Sequence, residues 1–409
     1  MRARFLALAL WAGLAASTAV VMPYFPPPTP IYEAPIDRAL QNVSAMEGLE
    51  PAQRERLLGR LNLLAYARDD GAFAYMRENN ELNEGGSQRC VDVGPGSGRQ
   101  AQEPPPTFAP EDLCARFTFD IRPQNELPPD PEHTSPRGIA RLEAARTHYR
   151  EALRIDGANL RARLGYAYVL DRLGRTGEAR RELRTIIRLG LPRLAEDHSD
   201  WEDHAVLTES AEHLQHLVKT HSDRARLTQL HARLLASQPI IYVTPIFVPL
   251  TEGAFNTMID NGASVAFDFA GTGDTRAQGW LTPNAAWLVW DPEWRGHVRS
   301  GFDMIGQRAW SVFWSDGFEA LRALDDNRDG ELTGAELGGL SLWRDENGDG
   351  VSDPGEVLPA NVHGIAALSV RGTPTRPGLI TAPAGVRFED GRARPLYDWT
   401  PGLGAAPVS

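Results

Sequence analysis

The sequence predicts an α+β protein, helical hairpins first and a β-rich domain after them. Three observations carry this. Between residues 138 and 236 apolar and small residues recur at helical spacing. Past Pro239 the chain turns to β-branched, proline-punctuated runs such as IIYVTPIFVPL, which suit strands and not helix. Two acidic, glycine-centred segments, 325–336 and 345–356, then interrupt that second half. A chain of 409 residues with 42% hydrophobic content can build two or three domains, each with a core.

The elements follow in order. Residues 1–22 place Arg2 and Arg4 ahead of an apolar run from Phe5 to Val21, the pattern of a secretory signal with Ser17-Thr18-Ala19 as a cleavage site. The segment is either a cleaved signal peptide or an uncleaved membrane anchor, and an extracytoplasmic location (periplasmic, cell-surface or secreted) is expected. Residues 23–137 begin with a proline-rich spacer, PYFPPPTPIYEAP, expected to stay extended. A helix pair is expected over 51–78, broken at Asp69-Asp70-Gly71. A Gly/Pro-rich stretch then runs between the chain's two cysteines, Cys90 and Cys114. Export would place them in an oxidising compartment, where a disulfide between them is expected.

In 138–236, Ala145, Tyr149 and Ala152 form a small-large-small face. Leu164, Gly165 and Tyr168 fit a following first helix, and Ala179, Leu183 and Ile186 the next second helix. This spacing resembles tetratricopeptide repeats (TPR) over about one and a half units, fewer than the three or so a solenoid needs alone. Helices from 51–78 and 195–236 are expected to complete the stack. The resemblance implies either a groove for a protein or peptide partner or a packed scaffold. Six histidines (His198, His204, His213, His216, His221 and His231) fall in 198–231. No second pair matches the spacing of His213 and His216, so a polar helix face is expected there, not a metal site.

The β-rich domain spans 237–409. Trp280, Trp287, Trp290, Trp294, Trp310 and Trp314 crowd its first part and read as core; a sugar-stacking platform is the alternative. The two acidic segments are DDNRDGELTGAE and DENGDGVSDPGE. Each opens on Asp and carries oxygen donors at positions 3, 5, 7, 9 and 12 with Gly at position 6, the arrangement that wraps one calcium ion. The first sets Asp325, Asn327, Asp329, the carbonyl of Glu331, Thr333 through a water, and Glu336. The second sets Asp345, Asn347, Asp349, the carbonyl of Val351, Asp353 and Glu356. Between Asp325 and Glu356 stand ten acidic residues against two basic ones, so most of the chain's net charge of −12 lies here. Divalent cations would relieve that repulsion. The remainder is nearly balanced and shows no basic stripe, which argues against nucleic acid.

An earlier segment, DPEWRGHVRSGF at 291–302, keeps Asp291, Glu293 and Gly296 in the same register but puts Arg295, Arg299 and Phe302 at ligand positions. It is expected to keep the loop shape without an ion. Just before it, FDFAGTGD resembles the FDxDGDG-type segment that precedes such loops in many exported bacterial calcium-binding proteins, with Asp268 and Asp274 kept and Ala270 and Thr272 where acidic ligands would be expected. Together, GFEALRALDDNRDGELTGAEL and LSLWRDENGDGVSDPGEV resemble exported bacterial proteins with EF-hand-type calcium loops, some of which carry TPR-like helices ahead of them. The resemblance covers roughly 140–400 and implies calcium binding, with no enzymatic activity. Only LGGLSLWR separates the loops, too little for two flanking helices of about two turns each. The ions are therefore expected to staple loops, not to drive a sensor that swings open.

No catalytic constellation rises above background: GxSxG, HExxH and CxxC are absent, and VGPGSGR at 93–99 lacks the Lys-Ser/Thr of a phosphate loop. The expectation is a non-enzymatic, exported calcium-binding protein whose helical part is a protein-interaction scaffold. Two alternatives are a carbohydrate-binding or hydrolytic protein using the Trp-rich region and a calcium-responsive switch. Membrane contact is expected only through an uncleaved N-terminal segment.

Overall fold

The computed structural model describes residues 34–70, 75–77, 90–92, 113–114, 135–196, 201–237, 243–271 and 275–402. The N-terminal run, His198, Asp274 and the side chains of Cys90 and Cys114 lie outside the described residues. Among the described residues no helix is long and apolar enough to cross a membrane.

Helix α1 (Ile36–Ala45) buries Ile36, Ala39 and Val43 at helical spacing. This helix follows directly on the expected spacer. The stretch expected as a helix pair is one helix, α2 (Pro51–Asp70), followed by strand β1 (Tyr75–Arg77). Strands β2 (Cys90–Asp92) and β3 (Leu113–Cys114) pair with β1 from its two sides. The repeat-like helices are α3 (Pro136–Ile155), α4 (Leu160–Arg172), α5 (Thr176–Glu196), α6 (Trp201–Leu217) and α7 (His221–Ala236). Ser135 caps α3 by accepting from the Gly138 N–H at 3.0 Å, and Asn159 caps α4 by accepting from Ala162 N–H at 2.9 Å. Ala145, Tyr149, Ala152, Leu164, Tyr168, Ala179, Leu183 and Ile186 are all buried. Tyr149 lies against two glycines: a Cβ at Gly59 would sit 2.8 Å, and one at Gly165 2.3 Å, from its ring. The TPR-like packing therefore continues backward into α2. Of the expected polar histidine face, His204 and His213 are instead buried, and His213 Nε2 lies 3.1 Å from Asp171 Oδ2.

The second half is antiparallel. Strands β4 (Ile246–Pro249), β5 (Ile259–Phe267), β6 (Arg276–Leu281) and β7 (Ala285–Trp290) precede helix α8 (Gly317–Arg322). Then come β8 (Glu331–Thr333), β9 (Leu340–Trp343), β10 (Val357–Pro359), β11 (Ile365–Ser369), β12 (Thr373–Arg376), β13 (Leu379–Phe388) and β14 (Ala393–Trp399). A nine-stranded sheet has the order β10-β9-β7-β4-β14-β13-β11-β8, with β12 on β13, and β5 with β6 forms a separate hairpin.

Strands β4, β7 and β9 are buried along their whole length because both sheet faces are covered. Ile246, Val248, Ala286, Leu288, Leu340 and Leu342 join Leu57, Leu61 and Tyr149 of the helices in one cluster. Phe247, Trp287, Val289 and Trp343 alternate with them and pack against Phe267 and Trp280 of the hairpin on the opposite face. Trp280, Trp287, Trp290, Trp310 and Trp314 are all buried, so no ring face is open to a sugar at these positions; Trp294 is 72% exposed.

Candidate functional site: two acidic loops and their supports

The first loop leaves α8 and runs into β8. Asp325 Oδ2 accepts from the Gly330 N–H at 3.1 Å, Asn327 Oδ1 from Asp329 N–H at 2.8 Å, and Asp329 Oδ1 from Glu331 N–H at 2.9 Å. Glu336 closes the ring: Oε1 accepts from Asp326 N–H at 2.9 Å and Oε2 from Thr333 N–H at 3.0 Å. The second loop repeats this pattern residue for residue. Asp345 Oδ2 accepts from Gly350 N–H at 2.9 Å, Asn347 Oδ1 from Asp349 N–H at 3.1 Å, and Asp349 Oδ1 from Val351 N–H at 2.8 Å. Glu356 Oε1 accepts from Glu346 N–H at 2.9 Å and Oε2 from Asp353 N–H at 3.1 Å. Asn347 Nδ2 bridges the carboxylates of Asp349 and Asp353 at 2.9 and 3.1 Å, a neutral donor between like charges. The structure thus turns Asp325, Asn327, Asp329 and Glu336, and Asp345, Asn347, Asp349 and Glu356, onto the main-chain N–H groups of their own loops, while Thr333 takes part through its N–H. Glu331 and Val351, expected to act through their carbonyls, turn their side chains elsewhere: Glu331 forms a two-bond ion pair with Arg387, and Val351 is exposed.

The backbone explains the glycines. Position 6 is left-handed in both loops, φ +93° at Gly330 and +77° at Gly350. A Cβ at Gly350 would also sit 2.7 Å from Val265 of β5. Position 4 is left-handed as well, at Arg328 (φ +62°) and Gly348 (φ +70°). Residues 291–302 share the same turn: Trp294 has φ +56°, Gly296 +71°, and Asp291 accepts from Arg295 N–H at 2.8 Å and Gly296 N–H at 2.9 Å. There Glu293 pairs with Arg295 at 2.9 Å and Phe302 is buried, so this turn is held by its own cation and its own core contact.

The loops sit at different depths of polar support. Burial pushes the Asp325 carboxyl up, the N–H groups of Gly330 and Arg328 oppose that, and Glu336 and Asp329 add repulsion. Burial likewise pushes Asp345 up, opposed by Gly350, Gly348 and the Trp280 indole. Asp345 Oδ1 receives the position-4 N–H, from Gly348, at 2.7 Å, and Trp280 Nε1 donates to Oδ2 at 2.7 Å. In the first loop the corresponding Asp325 Oδ1 is buried and receives no full hydrogen bond. All donors offered by the two loops are hard oxygens, the set that suits calcium and not zinc or copper. Among the described residues no group of three or more His, Cys, Asp or Glu side chains is gathered so as to hold a metal ion.

Supports from distant segments carry no sequence signature. Helix α1 reaches the first loop, where Arg38 Nε and Asn42 Nδ2 each donate to Asp326 Oδ1 at 2.8 Å. Helix α2 grips the segment leading to α8: Arg60 Nε donates to Ser311 O and Arg56 Nη2 to Phe313 O, both at 2.9 Å. The Arg60 guanidinium also lies 4.7 Å over the Phe313 ring, and Arg308 lies 4.7 Å over Trp201 of α6. Trp310, Ser311 and Phe313 hold left-handed φ values of +57°, +59° and +61°, so this strained segment is fixed by the helices it meets. One face of the TPR-like stack is thereby occupied by the chain's own β domain.

Comparison with known proteins separates the halves in the same way. Residues 140–190 match the family model for a tetratricopeptide repeat, and 250–399 match the SPM domain. The chain is 29% identical over 132 residues to the iron-regulated protein FrpA of Neisseria meningitidis serogroup C. That match covers 31% of this chain and 12% of the relative, so the chain spans a small part of that protein's length.

Proposed function

We propose that the chain is an extracytoplasmic, non-enzymatic calcium-binding protein whose two loops, held between TPR-like helices and an antiparallel sheet, are structural staples. The observation that supports this best is the residue-for-residue repetition of one carboxylate network in 325–336 and 345–356. The buried Asp325 Oδ1, left without a full hydrogen bond, adds an acceptor suited to a cation. Asp325, Asn327, Asp329, Glu331, Thr333 and Glu336 would hold one ion, and Asp345, Asn347, Asp349, Val351, Asp353 and Glu356 the other. Bound calcium would supply a divalent charge at the centre of each carboxylate ring.

A staple fits the surroundings better than a switch. The first loop exits into β8, which pairs with β11, and then into a single 3₁₀ turn, Gly334–Leu337; β9 leads to the second loop. Among the described residues no helix pair lies between them to swing. Extracellular modules of this kind bind at about 10⁻⁴–10⁻³ M, matching constant occupancy outside the cell. The helical part clamps the calcium domain through α1, α2 and Trp201 of α6, and a protein partner would dock on the remaining surface of the TPR-like helices. The test is chelation of the full chain, followed by thermal unfolding and far-ultraviolet circular dichroism. Lower melting temperature with unchanged helix and strand signals is expected; an unchanged melting temperature, or a refolded spectrum at ambient temperature, would overturn the staple.

A further inference from the structure

Helix α1 touches the first loop at both of its ends. Asn42 Nδ2 donates to Ala323 O at 3.0 Å, and Arg38 Nη2 donates to Leu324 O, so the chain is tied immediately before Asp325. Both side chains hold the position-2 carboxylate of Asp326. Arg38 Nη2 also reaches Glu336 O, at position 12, at 3.5 Å. Asp326 is therefore bound on two sides, its N–H to Glu336 Oε1 at 2.9 Å and its carboxylate to α1. Closing a calcium loop requires positions 1 and 12 to meet, and α1 spans that junction. Among the described residues no helix side chain braces the second loop in this way; its ends are joined by their own strands, Arg344 N–H donating to Glu356 O at 2.9 Å. Its position-2 residue, Glu346, is exposed and pairs at 2.9 Å with Arg344, two residues away.

We infer that Arg38 and Asn42 are positioning residues of the first calcium site, so that α1 docking and ion occupancy of that loop alone are coupled. This rests on the calcium reading of the loops given above. Neither side chain belongs to the expected donor set; they act by fixing Asp326 and the main chain flanking Asp325 and Glu336. Losing such an outer support commonly weakens a metal site about 10- to 100-fold. By reciprocity, calcium in the first loop tightens the docking of α1 by the same factor.

The test is calcium titration calorimetry on the full chain in two backgrounds, Asp345→Ala to isolate the first loop and Asp325→Ala to isolate the second. The pair Arg38→Ala/Asn42→Ala leaves Ile36, Ala39 and Val43 to anchor α1. It is expected to weaken the first loop about 10- to 100-fold and leave the second within twofold. Hydrogen exchange over 36–45 is expected to slow with calcium, and not in Asp325→Ala. If the pair also damages the second loop, Asp326→Asn, which leaves α1 intact, decides by the same criterion. An unchanged first-loop affinity in these variants overturns the coupling and leaves calcium binding standing. No calcium binding by the parent chain overturns both.

Discussion

Replacing Asp325 with Asn should change the sign of its effect when calcium is added. Asp325 is only 6% exposed, its Oδ1 lacks a full hydrogen bond, and Glu336 and Asp329 repel its charge. Asn keeps an acceptor for the Gly330 N–H and removes that charge. Without calcium the variant should therefore gain on the order of 1 kcal/mol, the scale of one poorly satisfied buried acceptor. With calcium at about 100 times the dissociation constant, each occupied site contributes about 2.7 kcal/mol, and losing a charged ligand removes most of it. The net is a loss of roughly 2 kcal/mol in calcium, or about 4–8 °C for a domain of this size at ~2–4 °C per kcal/mol. Scanning calorimetry of both proteins, once in chelator and once in calcium, reads the crossing. Equal destabilisation in both conditions would show that Asp325 is only a turn cap and would refute the reasoning.

Four further substitutions test local structure. Arg328 sits at φ +62°, which costs an L-residue about 1–2 kcal/mol, so Arg328→Gly should stabilise the fold by up to about 1 kcal/mol, read as a higher urea midpoint, while Gly348→Ala at φ +70° should destabilise it comparably and lower the midpoint. Gly165→Ala puts a Cβ 2.3 Å from the Tyr149 ring and should destabilise the helical stack by about 1–3 kcal/mol in thermal unfolding. Burial, with Asp316 nearby, pushes the Asp398 carboxyl up to about 8, against the Gly317 N–H that it accepts at 2.7 Å. Because the folded form keeps that proton above the unfolded value, this group's stability contribution declines as pH rises from about 4 to about 8. Asp398→Asn should abolish that decline, its melting temperature exceeding the parent's by more at pH ~8.5 than at pH ~5; a constant difference would contradict the assignment.

The parts of this molecule legible in the sequence are those set by short-range pattern. The loops are contiguous, and their Asp, Asn and Glu spacing translates directly into the N–H/carboxylate network. The small-large-small face at Ala145, Tyr149 and Ala152 repeats every helical turn and is buried as expected. The eight residues between the loops excluded flanking helices by length alone; the 3₁₀ turn that ends the first loop stops at Leu337, and β9 takes Leu340–Trp343. Long-range contacts were not legible. Arg38 meets Asp326 across 288 residues, and nothing near either residue marks the pair. Helix α1 was hidden behind prolines that end just before it. The buried His204 and His213 look polar in sequence because only the fold supplies Asp171 beside His213. Tryptophan crowding did signal a core, yet only the sheet shows that Trp287 and Trp290 point to opposite faces of it.

The central claim, that both acidic loops bind calcium, is tested most directly by stoichiometry. Titration calorimetry of the chelator-treated full chain with calcium should give two sites, with Asp325→Ala and Asp345→Ala each retaining one and the double variant none. A chain that takes up no calcium at millimolar concentration, or variants that still bind two ions, would contradict it.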